Sequence, residues 1–245
     1  MRRFGIIGRP LGHSASARHF TAKFEREGLD CSFTQFELPS IEALQELLDT
    51  TPDLAGFNVT IPYKQQIIPY LDELADEAAK IGAVNCVRRT AEGKLIGHNT
   101  DVIGLRYAFG ELLQGELPEH ALVLGTGGAS QAVQYALAEL GIPFDLISRD
   151  PAKGNYTYDN LPVEVVASSK LIVNATPVGT WPNVEDAPRI PYAYLTPEHR
   201  LLDLVYNPPV TQFLDYGNQR GARTMNGEVM FLAQAAAGWK IWTDE

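Results

Sequence analysis

The stretch Leu122-Val-Leu-Gly-Thr-Gly-Gly-Ala-Ser130 runs from a short apolar segment through Gly125, Gly127 and Gly128 into the alanine-rich pattern of residues 130–140. Strand, tight turn and helix follow one another without a spacer. This is how a dinucleotide site is built: glycines let the backbone turn and approach a pyrophosphate, which rests on the unpaired N–H groups of a helix N-terminus. No Gly-Lys-Ser/Thr follows, which excludes a P-loop. An ordinary strand–turn–helix produces the same local pattern, so the next strand matters. Phe144–Ser148 ends in Ser148-Arg149-Asp150, with Lys153 nearby. An NAD site usually places an acidic residue there for the ribose 2′-hydroxyl, whereas arginine suits a 2′-phosphate. NADP is therefore favoured, with the Asp150 charge opposing it.

On either side of this turn, short apolar runs alternate with helical patterns. Phe4–Gly8, Ser32–Glu37 and Ala55–Val59 read as strands. A helix is expected to Gly28 with Phe20 and Phe24 one turn apart, and another through Leu48 with Ser40 as N-cap. Ala83–Arg89 and Lys94–His98, joined by Ala91-Glu92-Gly93, read as a hairpin, and Thr100 or Asp101 caps a helix towards Leu113. Gln114–His120 has the composition of a linker. Beyond it, Ala121–Leu124, a helix over Ser130–Leu140 closed by Gly141, then Phe144–Ser148, Leu171–Asn174 and Leu201–Val205 continue the alternation. Glu228–Trp242 reads as a final helix. The alternation predicts parallel sheets with helical cover, arranged as two α/β domains with a cleft between them.

Composition narrows the function classes. The 245 residues carry a formal net charge of −10, which argues against a nucleic-acid surface. No apolar run approaches the ~20 residues of a membrane span, and Met1–Gly8 reaches a Gly-Arg-Pro turn before a signal-peptide core forms. Cys31 and Cys86 stand far apart, so neither a disulfide framework nor a cysteine metal site is expected, and a reducing cytoplasm fits.

Polar clusters end the strands of the first hundred residues: Ser14 and Ser16; Asn58, Thr60 and Lys64; Asn85; and Asn99, Thr100 and Asp101. Taken singly, each has an ordinary explanation as a cap, a turn or a solvated residue. Taken together, at the carboxyl ends of strands where α/β sheets bind ligands, they suit a small polyhydroxylated acid.

The segments GRPLGHSAS (8–16), NVTIPYK (58–64), GAVNC (82–86), NTD (99–101), GTGGAS (125–130), NATPVGT (174–180), DLVYNP (203–208) and NGEVMFLAQAA (226–236) together resemble the shikimate dehydrogenase family. The resemblance spans nearly the whole chain in order. It implies an N-terminal α/β substrate domain over residues 1–101, rejoined by the C-terminal helix 228–245, and a Rossmann-type NADP-binding domain over 102–227. It also implies reversible NADPH-dependent reduction of 3-dehydroshikimate to shikimate by a cytoplasmic monomer or homodimer without metal. By the same resemblance Lys64 and Asp101 are the catalytic pair. Ser14, Ser16 and Tyr206 bind the substrate carboxylate, and Asn58, Thr60, Asn85 and Gln234 hold its hydroxyls. Gly125, Gly127, Gly128 and Ala129 cradle the pyrophosphate, Ser148 and Arg149 serve the 2′-phosphate, and Thr176, Val205 and Gly227 border the nicotinamide. The chain departs from the family pattern at Ala17, where Pro is usual, at Cys86, where Thr is common, and at Ser148-Arg149-Asp150, where Asn-Arg-Thr is usual. Gly154–Pro162 reads as a trimmed segment. A quinate/shikimate dehydrogenase using NAD or both cofactors is the nearest alternative. A non-catalytic dinucleotide sensor and a Rossmann-type methyltransferase are weaker ones.

Overall fold

The computed structural model describes residues 1–12 and 15–244. They divide into two compact units, Met1–Thr100 with Ala235–Glu245, and Asp101–Gln234. In the first unit the elements are β1 (Arg2–Gly8), α1 (Ala15–Glu27), β2 (Cys31–Glu37), α2 (Leu44–Thr50), β3 (Leu54–Val59), α3 (Tyr63–Gln66), β4 (Glu73–Leu74), α4 (Asp76–Ile81), β5 (Cys86–Arg89) and β6 (Leu95–His98). The second unit holds α5 (Asp101–Leu113), β7 (Ala121–Leu124), α6 (Gly128–Glu139), β8 (Phe144–Ile147), α7 (Val163–Ser168), β9 (Leu171–Asn174), β10 (Arg200–Asp203), α8 (Gln212–Gln219) and β11 (Arg223–Met225). The helix α9 (Glu228–Thr243) starts in the second unit and ends in the first.

The first sheet has the order β2-β1-β3-β5-β6-β4. It is parallel across β2, β1 and β3 and again between β6 and β4, whereas β5 runs antiparallel to both β3 and β6. The parallel order is interrupted at the expected hairpin: a loop this short reverses the chain, whereas a parallel step needs a long crossover. At the end of α1, Gly28 takes φ +63° and Leu29 N–H donates to Phe24 O at 2.9 Å, so the left-handed residue closes the last turn. The expected Ser40 cap is corrected. A 3₁₀ turn over Ile41–Ala43 precedes α2, and Ser40 makes no side-chain cap bond. Buried Phe4, Phe20 and Phe24 of this unit join Trp242 of α9 in one aromatic cluster.

The second sheet, β11-β10-β9-β7-β8, is parallel throughout. Its central strands β7 and β9 are buried on both faces, as a sheet covered by helices requires. Gln114–His120 is not a boundary between the units; it joins α5 to β7 within the second. The reason is packing: α5 buries Leu105, Ala108 and Leu112, and Arg106 forms a two-point ion pair with Glu139 of α6, at 3.0 and 2.7 Å. The trimmed stretch after Arg149 forms no helix. It lies along β8 instead, where Asn155 Oδ1 accepts from Leu146 N at 2.8 Å and Ser148 N–H donates to Tyr156 O at 3.0 Å. An otherwise open sheet edge is thereby covered.

His199, fully buried before β10, has a defined tautomer. Thr196 N–H donates to Nδ1 at 3.0 Å, so the proton sits on Nε2, 3.1 Å from Val166 O. Burial holds its pKa below the ordinary histidine value. The folded pKa is thus depressed below the unfolded one, so the stabilisation is present above about pH 6.5 and is lost as pH falls through the folded value, by at most about 1.4 kcal/mol per pH unit. Thermal melting of His199→Asn is expected to lose less between pH 7 and pH 5 than the parent chain does. An equal loss would remove His199 as a source of acid sensitivity.

No helix among the described residues is long and apolar enough to cross a membrane.

Candidate active site

The segment Asn58-Val-Thr-Ile-Pro-Tyr-Lys64 leaves the sheet after Val59. Thr60 N–H still donates to Ile7 O at 2.9 Å, and Pro62, lacking a donor, stands at the N-cap of the single-turn α3. Tyr63 anchors that turn: its ring is buried and its hydroxyl donates to Leu38 O at 2.7 Å. The carbonyl of Lys64 accepts Val84 N–H at 2.7 Å. Lys64 is therefore held by its backbone while its side chain is only partly covered.

Asn58 and Asn85 meet across the β3–β5 pairing. Asn58 Nδ2 donates to Asn85 O at 3.3 Å, and Asn85 binds Thr100 twice, accepting its N–H at 2.7 Å and donating Nδ2 to its hydroxyl at 3.0 Å. All three residues are buried, as is Ser16 on α1. Among the described residues Asn58 Oδ1 is buried without a hydrogen-bond partner, a costly state unless a ligand donor fills it. Asp101, also buried, follows Thr100 as the first residue of α5. Thr60 is partly covered and Gln234 is buried on α9. Ser14 lies outside the described residues.

In the second unit Gly125 adopts φ +105°, and a Cβ there would lie 2.8 Å from Thr176 Cγ2. Only glycine suits that place. Helix α6 begins at Gly128 rather than at Ser130, two residues earlier than expected, because the turn is completed by Gly127 as N-cap. No side chain caps this helix, and a Cβ on Gly127 would meet nothing within 4 Å. Ala129 lies in the first turn of the helix. The open N-terminus beside a glycine that admits no side chain is a cradle for an anion. Thr126 and Ser148 approach through their hydroxyls at 3.3 Å, and Arg149 is exposed at the end of β8. The Asp150 carboxylate is engaged locally, accepting Ala152 N–H at 3.0 Å and lying 3.8 Å from the Lys153 ammonium.

The residues that the sequence reading missed stand at the ends of β9 and β10. Asp203, fully buried, accepts Asn174 Nδ2 at 2.9 Å, Val205 N–H at 3.0 Å and the Thr211 hydroxyl at 2.5 Å. Burial raises its pKa to about 6, against the lowering effect of those bonds. Val205 O in turn accepts Gly227 N–H at 3.1 Å, and the Tyr206 ring packs on Phe231 with centroids 5.1 Å apart. A polar residue ending an otherwise apolar strand, Asn174 after Leu171-Ile-Val and Asp203 after Leu201-Leu, was the signal available in the sequence.

The sequence and the fold are shared with known proteins. The family model for the shikimate dehydrogenase substrate binding domain matches residues 6–87. The shikimate dehydrogenase (NADP(+)) of Bacillus mycoides is 37% identical over 257 residues, covering 98% of this chain and 92% of that protein. The chain belongs to the shikimate dehydrogenase family. The solved shikimate 5-dehydrogenase of Thermus thermophilus, in complex with NADP(H) and shikimate, is 33% identical with a TM-score of 0.85, covering 100% of this chain and 94% of that one. The quinate dehydrogenase of Corynebacterium glutamicum, in complex with NAD, is 28% identical with a TM-score of 0.88, over 100% and 94% of the two chains. The mixed sheet and the parallel Rossmann-type sheet are thus those of the family. Cys86, one of the departures from the family pattern, is fully buried against the aromatic cluster.

Proposed function

We propose that the protein interconverts 3-dehydroshikimate and shikimate with NADP(H), in the cytoplasm, as a monomer or homodimer. The observation that carries the substrate reading is the orphaned Asn58 Oδ1, buried within an amide and hydroxyl network at the strand ends. A ring hydroxyl supplies the missing donor. In this reading Asn58, Thr60, Asn85 and Gln234 hold the hydroxyls, while Ser14, Ser16 and Tyr206 hold the carboxylate. The substrate domain comprises residues 1–101 and the returning helix 228–245, and the cofactor domain residues 102–227.

The glycine turn fits a dinucleotide, since Gly125 tolerates no side chain and the start of α6 is uncapped and open. Gly125, Gly127, Gly128 and Ala129 would hold the pyrophosphate, Ser148 and Arg149 the 2′-phosphate, and Thr176, Val205 and Gly227 the nicotinamide end. When bound, NADPH supplies a hydride. As the ketone is reduced, negative charge grows on its oxygen, and the Lys64 ammonium neutralises it by giving up a proton. Asp101 is the acidic partner of Lys64 in this pair.

The test is NADPH absorbance with 3-dehydroshikimate, repeated with NADH and, in reverse, with shikimate and quinate. Absence of turnover with every pair would overturn the reading. Broader use of quinate and NAD is a second reading, favoured by the likeness to the Corynebacterium glutamicum enzyme and by the carboxylate of Asp150 beside Arg149. Arg149→Ala separates the cofactor roles. Loss of a charged hydrogen-bond donor is expected to raise KM for NADPH roughly 10- to 100-fold and to leave KM for NADH within about twofold. Parallel changes for both cofactors would remove Arg149 from the 2′-phosphate site.

A further inference from the structure

We propose that Asp203 is a positioning residue for the nicotinamide half of the cofactor site, acting by fixing the direction of the Asn174 amide and so the place of Thr176 against Gly125. The inference rests on the cofactor reading above and adds a residue to it.

The argument begins with donors and acceptors. An ionised carboxylate only accepts, so Asp203 Oδ1 at 2.9 Å must face the amide nitrogen of Asn174. The amide oxygen is then turned the other way, where it takes two donors from one residue, Thr176 N–H at 3.1 Å and Thr176 Oγ1–H at 2.6 Å. A flipped amide would set oxygen against carboxylate and NH₂ against a backbone N–H. The direction of Asn174 is therefore unambiguous. The Thr176 hydroxyl accepts Val178 N–H at 3.3 Å, so the loop after β9 closes on itself around that side chain. Its methyl stands beside Gly125, whose φ of +105° belongs to the pyrophosphate turn.

The same carboxylate holds two other loops. Through Val205 N–H it sets the segment after β10, and Val205 O passes the constraint to Gly227 N–H. Through the Thr211 hydroxyl it sets the start of α8, where that hydroxyl caps Leu214 N–H. Three residues expected at the nicotinamide end, Thr176, Val205 and Gly227, thus depend on one buried acid. Its three partners, an amide, a peptide N–H and a hydroxyl, are all neutral donors. A group meant only to fill space there would be apolar, since an uncompensated buried carboxylate is expensive.

The experiment measures binding of NADPH by fluorescence and of adenosine 2′,5′-bisphosphate, which lacks the nicotinamide, by calorimetry. Asp203→Ala frees the amide to flip. It is expected to weaken NADPH roughly tenfold or more while changing the bisphosphate by less than about twofold. Asp203→Asn keeps an oxygen for Asn174 and Val205 and lets the Thr211 hydroxyl accept, so NADPH binding should return to within about threefold of the parent. Equal weakening of both ligands, or none in either, overturns the assignment. If Asp203→Ala does not fold, Thr176→Val cuts the same chain at its far end and should show the same split, and unchanged NADPH affinity there overturns it. A parent protein that binds neither ligand defeats the cofactor reading itself, and this assignment with it.

Discussion

Replacing Lys64 by alanine is expected to lower kcat about 10²- to 10⁴-fold, the usual range for a positioned proton donor, with KM for shikimate moving less than about threefold. The asymmetry follows from timing: the charge that the ammonium meets exists mainly in the transition state, so its loss spares ground-state binding. The fold prepares for this role. Tyr63 and Ile67, both buried, pin α3, and the Lys64–Val84 backbone bond at 2.7 Å fixes the residue between them. The substitution touches neither anchor, so the protein should fold. Steady-state kinetics in both directions make the check. A raised KM with kcat preserved would make Lys64 a binding residue and leave the proton without a donor.

Trp242→Ala is expected to cost roughly 3–5 kcal/mol of stability, the range for removing a large buried aromatic. The indole is 1% exposed and lies 5.1 Å, centroid to centroid, from both Phe4 and Phe20. Its Nε1–H donates to Val87 O at 3.0 Å, and its carbonyl accepts Arg2 Nη2 at 2.7 Å. A side chain on Gly56 would run into the ring, so the strand is shaped around it. The deletion leaves a cavity lined by rings that cannot all collapse inward. Urea denaturation should show the loss as a lower midpoint. A change below about 1 kcal/mol would mean that the cluster repacks and that α9 is held by other contacts.

The sequence was most legible where a residue type has one physical use. Gly125-Thr-Gly-Gly128 announced a strand–turn–helix because few other residues allow the turn, and the structure begins α6 inside that glycine run. Phe20, Phe24 and Gly28 announced α1 and its end for the same reason. Legibility failed where the determinant is remote. Strand β11 is only three residues long, too short to show a period, and the eight-residue amphipathic helix α8 was passed over. They exist because Thr211 caps the helix and β10 supplies the pairing edge for the strand. Ser40 has the chemistry of a cap, yet a 3₁₀ turn intervenes.

The same division runs through the candidate site. The amides, hydroxyls and glycines that make it a small-molecule site, and the family they resemble, could be read from order and spacing along the chain. Which carboxylate is buried, which way an amide points and which carbonyl oxygen lacks a partner were decided only by folding. Asn174 and Asp203 are 29 residues apart and Asn58 and Asn85 are 27 apart. Hydrogen-bond pairing and burial depend on distances in space, and only the packed sheets bring those residues within reach.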